Sequence, residues 1–183
     1  NVSNNTHRVD GVNGRLKLAR HSATVATTAW FFVINAKLKV NSEFDWSWQP
    51  DRMQESKYYI FNAINPINGL EYGHMAIVAW NKRLAMQDTD WGLDFVMSYE
   101  HEVVPINSGI AYYANDPWMA WRSAFREVLK LIDDNSGNVE TEYRLSKWLS
   151  SNNTELGIWS QRGADDAVEY YELVDGNFEK LKL

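Results

Sequence analysis

The chain has 183 residues, 45% hydrophobic and 23% charged, with a formal net charge of -6 and no cysteine. This mix suits one globular domain of ordinary size and excludes a disordered chain, a disulfide framework and a Cys-ligated zinc; the acidic balance also argues against general nucleic-acid binding, which draws its affinity from Lys and Arg. The longest apolar run, residues 29–36, is strand length, far short of the ~20 residues that span a bilayer, and no basic segment precedes an apolar stretch as in a signal peptide, so a cytoplasmic protein with no membrane partner is expected.

A single domain over residues 1–183 is expected, with a loose N-terminal segment over 1–10 and a polar C-terminal extension over 150–183. Over residues 14–28, Leu16, Leu18, Ala19, Ala23, Val25 and Ala26 make a rough helical stripe. Residues 30–35, WFFVIN, lack polar alternation and predict a strand buried on both faces, as in a parallel sheet covered by helices. Residues 43–53 read as a loop with embedded aromatics, and 58–64 as the next strand. NPINGLEYG (65–73) is rich in turn residues. Further strands are predicted at 75–80, 95–99 and 110–114.

Helices are predicted next. Asp116 is a good N-cap with Pro117 at the first helical position, and the apolar spacing from Trp118 to Ile132 carries a helix to about residue 133. Gly137 breaks it, and Asn138 caps a second helix through Trp148. Residues 150–183 show only short apolar clusters, such as 168–173.

Four groups of residues carry candidate chemistry. Asp88, Asp90 and Asp94 lie in QDTDWGLDF; an Asp-x-Asp pair beside a strand can hold Mg2+ or Mn2+, and can equally be a solvated loop. Glu100, His101 and Glu102 offer acid–base groups, with His101 a further candidate metal ligand, or mark a surface strand end. Arg122 and Arg126, four apart on one helix face beside Glu127, form either a diphosphate or carboxylate clamp or a solvated face. The nine Trp, nine Tyr and seven Phe serve a bulky core or a site where flat rings stack, with Trp46, Trp48 and Trp91 the candidates for the second role. GxGxxG, GxxxxGK[ST], HExxH and GxSxG do not occur.

Six segments, ARHSATVATTAWFFVINAKLKV (19–40), FDWSWQPD (44–51), NPINGLEYG (65–73), DFVMSY (94–99), NDPWMAWRSAFREVLKL (115–131) and ETEYRLSKW (140–148), together resemble the glycosyltransferase-like proteins of T4-type and other large bacteriophages, relatives of the GT-A fold. The resemblance implies an α/β, GT-A-like sandwich whose mixed, mostly parallel sheet is flanked by helices. It implies transfer of a sugar from a nucleotide-sugar donor to an acceptor such as a modified DNA base or a glycan, in the cytoplasm of a phage-infected bacterium.

The resemblance also implies an acidic Asp-x-Asp motif after the strand over 30–35, where this chain carries Asn35-Ala36-Lys37. Asn keeps an oxygen ligand without its charge, and Lys37 repels a cation but could contact the diphosphate itself. The cofactor is thus Mn2+ or Mg2+, or none. Asn65, Asn68, His74, Arg122 and Arg126 join Asn35 and Lys37 as implied substrate-binding residues, and Asp94 and Glu127 as implied catalytic ones. At Gly73-His74-Met75 a glycine-rich turn of the family is replaced by bulkier residues, narrowing the acceptor side. Only 18 residues precede Ala19, so the base-gripping unit that opens a GT-A domain is expected to be shortened or absent. The degenerate motif opens a second reading, a non-catalytic GT-A-like structural or interaction domain. The Trp-rich surface opens a third, a carbohydrate- or nucleotide-binding module.

Overall fold

A computed structural model describes residues 5–51, 54–87, 99–134, 137–150 and 152–176. The span read as one domain takes in two compact units, Asn1–Ala63 with Tyr72–Gly109, and Ile64–Glu71 with Ile110–Leu183. The chain is α/β, with a mixed sheet and flanking helices.

The first unit carries most of the sheet. Its strands are β1 (Trp30–Ile34), β2 (Leu38–Val40), β3 (Tyr58–Ile64), β4 (Glu71–Asn81) and β5 (His101–Ala111), in the order β1-β4-β3-β5-β2. β1 runs antiparallel to β4, from Trp30 opposite Asn81 to Ile34 opposite Ile77. β3 and β5 run the same way, because the Tyr58 N–H reaches the Glu100 carbonyl (3.1 Å) near the start of both and the Ser108 hydroxyl reaches the Asn62 carbonyl (2.7 Å) further along both.

Helix α1 (Arg15–Val25) presents Ala19 and Ala23, one turn apart, to Tyr58 and Ile60 of β3 and Val78 and Trp80 of β4. Alanines at these places let a helix lie close to a sheet. The short helix α2 (Lys82–Ala85) follows β4 and is capped by the Asn81 side chain, which accepts from the Arg83 and Leu84 N–H groups at 2.9 and 3.3 Å.

β1 corrects the expectation of a strand in a parallel sheet. Among the described residues it is an edge strand, antiparallel to its one neighbour, and every residue in it is half-buried. The unbroken apolar run has a different cause. Phe31 and Val33 face the α1 cluster, while Phe32, on the other side, meets rings from the loop that follows β2. Both faces of the strand are covered, although among the described residues β4 is its one strand partner.

Two other boundaries moved. β4 begins at Glu71 and takes in Gly73 and His74, so these residues are strand and not a turn; a Cβ at Gly73 would press on the Val103 side chain at 2.8 Å. The strand read at 110–114 begins at His101 and ends at Ala111. Its first half is largely exposed, so it leaves no apolar run in the sequence. Residues 95–98 of the strand read at 95–99 lie outside the described residues.

The second unit is helical. α3 (Pro117–Asp134) starts where Asp116 Oδ1 accepts from the Met119 N–H at 2.8 Å, and α4 (Val139–Trp148) where Asn138 Oδ1 accepts from the Thr141 N–H at 2.8 Å. Both caps are as read from the sequence. The expected C-terminal extension instead holds α5 (Glu155–Leu173), 19 residues capped by Thr154. Its buried face is Gly157, Ser160, Gly163, Ala164 and Ala167. The spacing is helical but the residues are small, so a scan for large apolar side chains passes over it. No helix among the described residues is long and apolar enough to cross a membrane.

Candidate functional site

The segment between β2 and β3 is built from side-chain turns. Asn41 Oδ1 accepts from the Glu43 N–H (3.1 Å), and Asp45 Oδ1 accepts from the Ser47 N–H (2.8 Å) and the Ser47 hydroxyl (2.6 Å). These bonds hold the Asp45 carboxyl below its ordinary pKa, the side-chain bond first and the backbone bond second. Two consecutive Asx-type turns thus place Phe44 inward and Trp46 and Trp48 half-buried beside it.

These rings interlock with the sheet. Phe44 lies 4.7 Å from Trp46 and 5.2 Å from Phe61 of β3, edge to face in both cases. Trp48 meets Phe61 at 4.9 Å and Tyr59 at 5.2 Å, and Phe32 of β1 meets Trp46 at 5.7 Å. Trp30 reaches Tyr59 at 5.7 Å. Edge-to-face pairs at these spacings fix ring orientation as well as burying area.

Phe44 and Phe61 are buried, but the outer rings leave space between them. A cleft of about 420 Å³ is walled by Trp30, Phe32, Trp46 and Trp48, with Gln49 and Glu55 as polar groups at its edge. A second cleft of about 430 Å³ shares Thr28, Ala29 and Glu55 with it and is lined by Lys82 and Arg83. A concave, ring-walled space with few polar groups is the usual form of a small-molecule site.

The residues expected to act lie elsewhere. Asn35 closes the β1–β2 turn: its N–H donates to the Ala76 carbonyl (2.8 Å), its side-chain oxygen accepts from the Lys37 N–H (2.9 Å), and its carbonyl accepts from the Leu38 N–H (3.0 Å). Lys37 is exposed on that turn. The oxygen meant for a cation is thus engaged by backbone, next to a cationic side chain, and Asn35-Ala36-Lys37 does not fit a metal site. Asn65 and Asn68 are also turn formers, accepting from the Ile67 N–H (3.0 Å) and the Leu70 N–H (3.1 Å) between β3 and β4, with Gly69 at φ 68°.

His74 is half-buried on β4, its ring 5.5 Å from Tyr72. Burial first, and the Arg15 charge second, push its pKa down from 6.5 to about 4, so it is neutral near pH 7. His101 is exposed at the start of β5 and stacks on Tyr58 at 5.4 Å, while Glu102 pairs with Lys57 at 2.8 Å. Glu127 pairs with Lys130 (3.4 Å) and with Arg144 of α4 (3.6 Å), a bridge between helices. Arg122 and Arg126 are half-buried on α3, and among the described residues neither forms an ion pair. Asp88, Asp90, Trp91 and Asp94 lie outside the described residues. Among the described residues no group of three His, Asp or Glu is placed to hold a metal ion.

Sequence reasoning named Trp46 and Trp48 but missed Trp30, Phe32, Glu55, Lys82 and Arg83. One signal was available. Trp30 and Phe32 are two apart on a strand and so share a face, the same spacing as Trp46 and Trp48.

Compared with known proteins, the chain matches no family model, no curated protein and no solved structure.

Proposed function

We propose that the protein binds a saccharide in the cleft walled by Trp30, Phe32, Trp46 and Trp48. The observation that carries this reading is that these outer rings, Trp30 and Phe32 on β1 and Trp46 and Trp48 beside the turns at Asn41 and Asp45, surround open space. A sugar has an apolar C–H face, which lies on an indole, and a rim of hydroxyls, which bond to groups such as the Glu55 carboxylate and the Gln49 amide. Stacking supplies affinity and the polar edge supplies orientation.

The test is titration of the intact chain with oligosaccharides of glucose, galactose, mannose and N-acetylglucosamine, followed by Trp fluorescence and calorimetry. A saturable fluorescence change with at least one of them, with matching heat, is expected. Absence of a saturable response to all four, and to an acidic oligosaccharide such as trigalacturonate, sinks the reading.

The transferase implied by the sequence resemblance is a second proposal, with its GT-A-like fold, nucleotide-sugar donor and cytoplasmic setting. It is favoured by a ring-walled cleft with a carboxylate, Glu55, at its edge, which could hold a donor sugar beside a general base. Release of free nucleotide from a UDP- or GDP-sugar, with or without Mn2+, is its test. Absence of turnover with a bound saccharide leaves the binding module as the better description.

A further inference from the structure

We infer that the saccharide held in the aromatic cleft is an acidic one, whose carboxylate is received by Lys82 and Arg83 in the adjoining cleft; this rests on the binding reading above. The two spaces are neighbours along one edge of the sheet. They share Thr28, Ala29 and Glu55 as lining residues. The register fixes the step between them: Trp30 of the aromatic wall stands opposite Asn81, and the next residue, Lys82, donates its N–H to the Ala29 carbonyl at 2.8 Å. The ring platform and the two cations are therefore joined through paired backbone.

The charges support an anion. Lys82 uses one of its three donors on the Ala26 carbonyl at 2.7 Å, at the C-terminal end of α1. That bond aims the ammonium and leaves donors for a ligand. Arg83 meets Glu55 at 3.4 Å, with both side chains well exposed. Such a pair is weak and exchanges readily for a better anion. Among the described residues that line the second cleft, two cations face one carboxylate, so its net charge is positive although the chain as a whole carries -6. A hexuronate places a carboxylate on the rim of a ring whose face can still lie on an indole, the combination these walls offer.

The experiment compares trigalacturonate with neutral galactotriose on the intact chain by calorimetry at low salt. A preference for the acid of about ten-fold or more is expected, the size of one hydrogen bond to a charged group. That preference shrinks in 0.5 M salt as screening grows, roughly as the Debye length falls toward 3 Å at ~1 M. Arg83→Gln and Lys82→Gln are both expected to reduce the ratio of acidic to neutral affinity. Equal affinity for the two sugars overturns the acidic assignment and leaves the aromatic cleft standing. An acid preference untouched by both substitutions overturns the placement of the anion. Failure of both sugars, together with the four neutral series above, removes the saccharide reading itself.

Discussion

In the sheet-bearing unit Trp30, Trp46 and Trp48 stand around open space, whereas in the helical unit Trp121 and Phe125 are closed against α5. Trp121 stacks on Phe125 at 4.9 Å, Phe125 meets Tyr170 of α5 at 5.8 Å, and the Trp121 indole N–H donates to Asp166 at 2.6 Å. α5 comes this close because its buried face is Gly, Ser and Ala; a methyl at Gly163 would overlap the Trp121 carbonyl oxygen. The lesson is that the partner decides what a ring does. Small residues opposite a ring let backbone close over it. In the sheet-bearing unit the inner rings Phe44 and Phe61 are buried edge to face, and the outer rings border the cleft.

Substitutions can break this contrast. The largest effect is expected at Gly163→Leu, which forces α3 and α5 apart and costs about 3 kcal/mol, read as a drop in the urea midpoint; wild-type stability would show that the close approach is not needed. Next comes acid. The His74 pKa is about 4 in the fold against 6.5 unfolded, so the unfolded chain takes up the proton first. This part of the stability is complete above pH 6.5, and is lost as pH falls toward and through 4. Allowing for partial exposure, the loss is about 2 kcal/mol, and His74→Gln is expected to flatten that part of the pH–stability curve. An unchanged slope would mean the ring titrates normally.

Trp48→Ala is expected to weaken saccharide binding about ten-fold through loss of one stacking face. Trp118→Ala removes a ring that is 63% exposed on α3 and is expected to leave binding as it is; the reverse pattern, by calorimetry, would move the site to the helical unit. The smallest effect is expected at Asp116→Ala, where loss of the α3 cap costs about 1 kcal/mol, visible as a lower midpoint with unchanged affinity.

How much of this was legible in the sequence varied with the kind of signal. Caps are local, so Asp116 and Asn138 could be read directly and both bond as expected. β3 was read at its full length because its apolar residues are nearly continuous and buried. α5 was missed because its contact face is small residues, whose meaning depends on the helix opposite. The site was partly legible. Trp46 and Trp48 stood out by type, whereas Asn35, Asn65 and Asn68, named as ligands, each hold a turn through the side-chain oxygen, a role their residue type alone does not distinguish from ligand binding. Glu55, Lys82 and Arg83 could not be placed without the register that sets Trp30 opposite Asn81.

The most direct measurement follows the indole N–H signals of the nine Trp in 1H–15N spectra as the bound saccharide is titrated. The expected result is saturable shifts at Trp30, Trp46 and Trp48 that fit one affinity, with Trp118, Trp121 and Trp148 unmoved. Shifts centred on Trp118 and Trp121, with Trp46 and Trp48 silent, would contradict the cleft as the binding site.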